Sequence, residues 1–147
     1  MVPLGVLLAT ALFARSLGSF GVGLLDSWPS ATRLGIAAML LATSSAHFTS
    51  LRHDLAKMVP TWIPRPAAVV AFTGVCEVLA AVGLLVPFTR ELAAKALIAF
   101  FVAVFPANVR AARHGIALGD QPVTPLWLRT PMQAVFVGLT WWAGVAN

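Results

Sequence analysis

Residues 66–87 read PAAVVAFTGVCEVLAAVGLLVP, an apolar run broken by one charge, Glu77. As a helix rising 1.5 Å per residue, such a run is about 33 Å long, enough to cross a bilayer core of roughly 30 Å. Apolar and polar residues do not alternate in it, which disfavours a strand of a membrane barrel. Four further runs have similar length and the same Ala/Leu/Val-rich character, at about Val2–Leu25, Arg33–Leu51, Leu92–Ala112 and Leu126–Ala146. Turn-forming clusters fall between them: Asp26-Ser27-Trp28-Pro29-Ser30, the segment Pro60–Pro66, and Gly119-Asp120-Gln121-Pro122. The expected fold is an all-α membrane protein forming a single domain over residues 1–147. Its four-helix transmembrane bundle, about 33–146, follows an additional N-terminal transmembrane helix at about 2–25, making about five spans.

Composition agrees. Of 147 residues, 59% are hydrophobic and 10% charged, against about 25% charged in an average soluble domain. Such a chain cannot cover a water-facing surface with polar groups. Its net charge of +5 comes from ten Lys/Arg against five Asp/Glu. The basic residues lie mostly between apolar runs, without a basic stripe interleaved with aromatics. They read as topology signals and contacts to anionic lipid, and nucleic acid is not an expected partner. The one cysteine, Cys76, can form neither an internal disulfide nor a CxxC redox pair. The first run lacks a basic n-region and a small-x-small cleavage site and carries Arg15 mid-run, so it reads as a retained span and not a signal peptide.

Five spans put the second and fourth loops on one side, with Arg52, Lys57, Arg65, Arg110, Arg113 and Arg129. The first and third loops hold Arg33, Arg90 and Lys95. Six against three places loops two and four, and the N-terminus, on the cytoplasmic side of the cell (inner) membrane. Trp28, Trp62, Trp127, Trp141 and Trp142 fall at or near run ends, as interfacial anchors do.

Polar residues inside the runs are the candidate site. A carboxylate at the bilayer centre costs about 2.5–3.5 kcal/mol on insertion scales, so Glu77 has to face a protein contact. Its neighbours Gly74, Ala80, Ala81 and Gly83 are small enough to let another helix approach. Two readings stand: a hydrogen-bonded core acid, or a general acid/base or ligand-anchoring group. Arg15, mid-run in the first segment, pairs with Glu77 on one reading and snorkels to the interface on the other. His47 and Asn108 fall near the same membrane face. Pro106 interrupts the helical hydrogen bonding beside Asn108. With Trp62 as a lid, these residues outline a pocket in front of Glu77. His53 and His114 lie among loop charges and read as solvated. No His pair has i, i+3 or i+4 spacing, so no metal site is expected. Ser44 and Ser45 have no acidic orienter for a triad with His47.

Several strings together resemble the DoxX family of small bacterial membrane proteins. They are Ala46-His47-Phe48, Met58-Val59-Pro60 with Trp62-Ile63-Pro64, Thr73-Gly74-Val75-Cys76-Glu77-Val78-Leu79, Gly83-Leu84-Leu85-Val86-Pro87-Phe88-Thr89-Arg90 and Phe105-Pro106-Ala107-Asn108-Val109. The resemblance covers roughly residues 33–145. It implies a four-helix membrane core and an association with thiosulfate:quinone oxidoreduction or membrane redox complexes, an analogy at family level. It would put His47, Glu77, Pro106 and Asn108 at signature positions. Two departures are the extra N-terminal segment and the lack of a partner thiol for Cys76, so electrons would come from a quinone or a partner protein.

The resulting expectation is a redox-associated inner-membrane protein whose intramembrane pocket takes a small hydrophobic ligand, quinone-like or lipid-like. Glu77 and His47 are the catalytic candidates, with Asn108, Arg15, Trp62 and Pro106 on the ligand. A quinone is the one cofactor suggested. Membrane lipid, a partner redox protein and a second copy of the chain are candidate partners. Two alternatives stay open: an acid/base isomerase or hydrolase acting on a lipophilic substrate, and a non-catalytic accessory subunit with Glu77–Arg15 as a structural pair. The topology predicts that single cysteines introduced into loops two and four label from the same side of the membrane. Loops two and three labelling together would refute it.

Overall fold

The computed structural model describes residues 2–147 and, among them, contains helices and no strand. In chain order the α-helices are α1 (Val2–Ser19), α2 (Trp28–Phe48), α3 (Arg52–Met58), α4 (Pro66–Leu85), α5 (Arg90–Arg113) and α6 (Leu126–Gly144). The helices α1, α4 and α5 are each long and apolar enough to cross a bilayer. The helix α2 meets the same measure only together with α3, across a bend of 96°, so the helices that qualify number three, or four if that bent pair is one span. The sixth helix, α6, carries Arg129 and Gln133 and falls short of that hydropathy by itself. This is the architecture of a helical membrane-embedded protein.

Two boundaries differ from expectation. The first helix ends at Ser19, because Gly21 takes a positive φ of 103° and turns the chain into a short 3₁₀ segment, Gly23–Leu25. The second begins at Trp28, inside what reads as a turn cluster. Ser27 caps it, its hydroxyl accepting the Ser30 N–H at 3.3 Å, and Pro29 occupies the first turn, where a missing N–H leaves no hydrogen bond unmade. The short α3 lies within the expected second loop.

Packing follows from the small residues. The central helix, α2, touches α1, α4 and α6, and α5 lies against α4 and α6. Buried faces repeat at helical spacing: Leu7, Ala11, Ala14 and Gly18 on α1, and Val70, Gly74, Glu77, Ala81 and Leu84 on α4. The interior centres on Leu7, Ile36, Leu40, Leu84 and Leu97. The large apolar residues Leu12, Phe13, Phe72, Leu79, Leu92 and Val102 point outward. That surface would be a sticky patch in water and is what hydrocarbon solvates well.

The two ends of the bundle are built differently. At one end loops two and four meet. Arg110 Nε donates to the Lys57 carbonyl at 3.1 Å, and the Gly119 N–H donates to Asp54 Oδ2 at 3.1 Å. The Lys57 ammonium and the Gly119 N–H hold the Asp54 carboxyl below the usual carboxylate range. That tie is therefore in place at neutral pH and is lost as pH falls through the lowered value. At the other end Arg33, counted above as a loop charge, is buried. It donates to Ala143 O at 2.6 Å, a carbonyl left open at the end of α6, to Asn147 O at 3.1 Å beyond that helix, and to Ser30 Oγ at 2.8 Å.

At Gly35 the backbones of α1 and α2 come close: a Cβ there would sit 2.6 Å from the Leu7 carbonyl oxygen and 3.1 Å from Ala11 Cβ. Gly35→Val should force the two helices apart and destabilise the fold by about 1–3 kcal/mol, as overpacking does. Thermal melting in detergent checks this. An unchanged melting temperature would mean that α1 is not seated on α2 at this register.

Candidate functional site

Helical spacing sets up the site. On α2, Thr43 and His47 are four residues apart and share a face. On α4, Thr73 and Glu77 do the same. The two faces meet in crossed pairs. The Thr43 hydroxyl donates to Glu77 Oε2 at 2.7 Å, and Thr73 Oγ1 lies 3.3 Å from His47 Nδ1. His47 Nδ1 is also 2.7 Å from the Val70 carbonyl, so the ring holds its proton on Nδ1 and turns Nε2 toward Glu77. His47 Nε2 and Glu77 Oε1 are 3.6 Å apart, close enough for an ion pair and too long for a hydrogen bond. Such a gap tightens readily when a ligand arrives.

Gly74 makes the meeting sterically feasible. A Cβ there would lie 2.6 Å from His47 Cβ and 2.9 Å from its Cγ. The imidazole therefore lies directly against the α4 backbone, one turn before Glu77.

Thr43 gives the carboxyl two satisfied states. Its hydroxyl is 2.7 Å from Glu77 Oε2 and 3.1 Å from the Leu40 carbonyl. When Glu77 is ionised, the hydroxyl donates to it. When Glu77 is protonated, its O–H donates to Thr43, whose own hydrogen turns to Leu40 O. Neither state leaves the carboxyl without a hydrogen bond.

Two cavities share this wall. One, of about 600 Å³, lies between α1, α2, α6 and the segment Ile116–Pro125. The other, of about 470 Å³, lies between α2, α4, α5 and the loop carrying Trp62. Both are lined by Thr43, His47, Glu77, Asn108, Gln133 and Phe136. Their sizes fall in the roughly 300–1,000 Å³ range of small-molecule sites. The larger cavity adds Ser45, Thr124 and Arg129; the smaller adds Phe72, Phe100 and Trp62, with Trp62 76% exposed at its edge.

Of the expected site residues, Glu77, His47 and Asn108 come together, with Pro106 and Trp62 lining the smaller cavity. Arg15 does not join them: it forms no pair with Glu77 and lines neither of these two cavities. Arg15 Nη1 donates to Ser19 Oγ at 3.2 Å, and the guanidinium lies 5.8 Å from the centre of the Trp28 ring. From Trp28 to Thr43, α2 runs about 22 Å at 1.5 Å per residue. Because α1 ends at Ser19, Arg15 is one turn from the end of its helix. Four site residues were missed: Thr43, Thr73, Gln133 and Arg129. Thr43 and Thr73 could have been found four residues before His47 and Glu77. Gln133, which donates to the Phe101 carbonyl, stands out as a polar residue in an apolar run. Arg129 donates to Asn108 Oδ1 and Thr124 O, both at 2.9 Å, and only the fold distinguishes it from a topology charge.

Fold and site together define a small helical membrane-type bundle enclosing an acid–imidazole pair between two cavities. Within that class, the chain belongs to the family described as a domain of unknown function, DUF8561, whose model matches residues 36–144. The matched stretch starts inside α2, leaving α1 outside it. No curated protein and no solved structure matches the chain.

The Thr43–Glu77 bond is open to a double-mutant cycle. Thr43→Val keeps the side-chain shape and removes the hydroxyl, and hydrogen bonds to charged groups contribute about 1.5–3 kcal/mol. Thr43→Val should destabilise the protein, and much less so in a Glu77→Leu background, where no acceptor for the hydroxyl remains at that position. Additive effects on stability would show that the two side chains do not interact.

Proposed function

We propose that the protein binds a small lipophilic ligand inside the membrane and exchanges a proton with it at Glu77 and His47. In this reading α1, α2, α4, α5 and α6 cross the cell (inner) membrane, with loops two and four and the N-terminus cytoplasmic. The observation that carries it is the Thr43 switch. A purely structural carboxyl needs one satisfied state, whereas one that gains and loses a proton needs two. His47 complements it, since its Nδ1 proton is held by Val70 O and its Nε2 is free to accept a proton from Glu77 or the ligand.

A quinone-like ligand is the version that the DoxX resemblance favours. Its reduction takes up protons at the ring oxygens, which Glu77 and His47 would deliver, while a partner redox protein supplies the electrons. An isomerase or hydrolase acting on a lipophilic substrate would use the same pair without electrons. The accessory-subunit reading loses support, because the Arg15–Glu77 pair it leaned on is not formed.

Glu77→Gln keeps volume and hydrogen bonding but cannot exchange a proton, and His47→Ala removes the acceptor. Each should lower turnover by about 10²–10⁴-fold, the usual span of general acid/base contributions, in protein that still inserts; Glu77→Gln should melt near the wild-type temperature, and His47→Ala, which empties a partly buried site against Gly74, somewhat lower. Melting temperature measured beside turnover, with a quinone analogue as first substrate, checks this. If both variants melt early and the surviving folded fraction works normally, the pair is structural.

A further inference from the structure

Arg129 is a half-buried guanidinium in the wall of the larger cavity, and no carboxylate answers it. The chain has five acidic residues. Asp26 and Glu91 belong to the opposite end of the bundle. Asp54 is held by Lys57 and Gly119, Glu77 by Thr43 and His47, and Asp120 is exposed at the tip of a loop. Among the described residues none of them lies within ion-pair distance of Arg129.

Its hydrogen bonds leave donors over. Nε and Nη1 reach Thr124 O and Asn108 Oδ1, both neutral oxygens. The remaining guanidinium hydrogens and the Asn108 amide nitrogen make no bond among the described residues. Arg33 has a different fate: its guanidinium is taken up by main-chain oxygens at the closed end. Glu77 lines the same cavity but is not within ion-pair distance of Arg129, and its own partners are Thr43 and His47. The cavity wall therefore carries a guanidinium with no carboxylate partner, beside the Glu77–His47 pair.

We infer that the ligand is an amphiphilic anion: an oxyanion head, carboxylate or phosphate, held by Arg129 and Asn108, on a single hydrocarbon chain lying in the same cavity along Val6, Leu55, Met58 and Phe136. A partly desolvated guanidinium favours a planar or tetrahedral oxyanion that can accept two parallel hydrogen bonds. Glu77 and His47 line the same cavity, so a chain bound there lies against the proton-exchanging pair. This inference rests on the proton-exchange reading above and narrows its ligand.

The test is equilibrium binding of radiolabelled oleate to the full-length protein in nanodiscs of neutral lipid. Unlabelled methyl oleate, oleyl phosphate and inorganic phosphate serve as competitors. Oleate should bind saturably, and methyl oleate, with a neutral head, should compete roughly tenfold or more worse, as loss of a charged bidentate contact implies. Oleyl phosphate competing better than oleate assigns the head as phosphate; the reverse assigns it as carboxylate. Inorganic phosphate competing as well as the lipids would make this a free-anion site and overturn the amphiphile. Arg129→Gln should abolish the preference for the charged head, and Arg129→Lys should keep part of it. If methyl oleate equals oleate on the unaltered protein, the anionic head is wrong while the proton-exchanging pocket stands. If no lipid binds, the pocket reading falls with it. The oleate-to-ester comparison needs no variant, so it decides even if Arg129→Gln fails to fold.

Discussion

A carboxylic acid placed between two helices in an apolar bundle has to be hydrogen-bonded, or it destabilises the structure that buries it. Glu77 is 9% exposed, and the register of α2 against α4 is the one that brings partners to it. Thr43 reaches one carboxyl oxygen and His47 faces the other. A slip of a single residue along either helix would rotate these side chains by roughly 100° and leave the acid facing methyl groups. Gly74 makes the register available, since any side chain there would occupy the space of the imidazole. Packing and chemistry are thus the same contact seen from two sides.

The remaining helix contacts are made in the same way. Lipid is as apolar as leucine, so helices gain little from burying large side chains against each other and associate instead through close backbone approach. Gly35 brings α1 onto α2, Gly83 brings the end of α4 onto Ala93, and Gly144 brings α6 onto Ala94. The last two contacts lie toward the end that Arg33 closes, where a buried guanidinium ties α2 to the last turn of α6 and to the segment after it. The opposite end is held by a bent helix, a loop and two cavities. At one end the Arg33 guanidinium is taken up mainly by main-chain oxygens. The other leaves space, and there Arg129 and Asn108 retain donors that the protein does not use.

Hydropathy and turn chemistry act over a few neighbouring residues, which is why the apolar runs, their order and the membrane class could be read directly from the chain. Glu77, His47 and Asn108 stood out for the same reason: each is a polar group in a run whose neighbours state how costly it is there. Pro29 shows where local reading fails. A proline in a polar cluster looks like a turn, yet the first turn of a helix accepts it, and α2 starts there. The seven-residue α3 is too short and too polar to leave a periodic trace and exists by packing against α4 and α5. The partners of the polar residues were decided only in three dimensions. Arg15 and Glu77 look level when each is placed mid-run, but Gly21 ends α1 early and puts the arginine beside Trp28. Arg33 and Arg129 are the same residue type at similar places next to a loop; one is consumed by carbonyls and the other faces a cavity. Sequence determines which groups cannot be left in hydrocarbon, because that energy belongs to the group itself. Which partner satisfies each one depends on where small residues let distant helices touch, and that is a property of the fold.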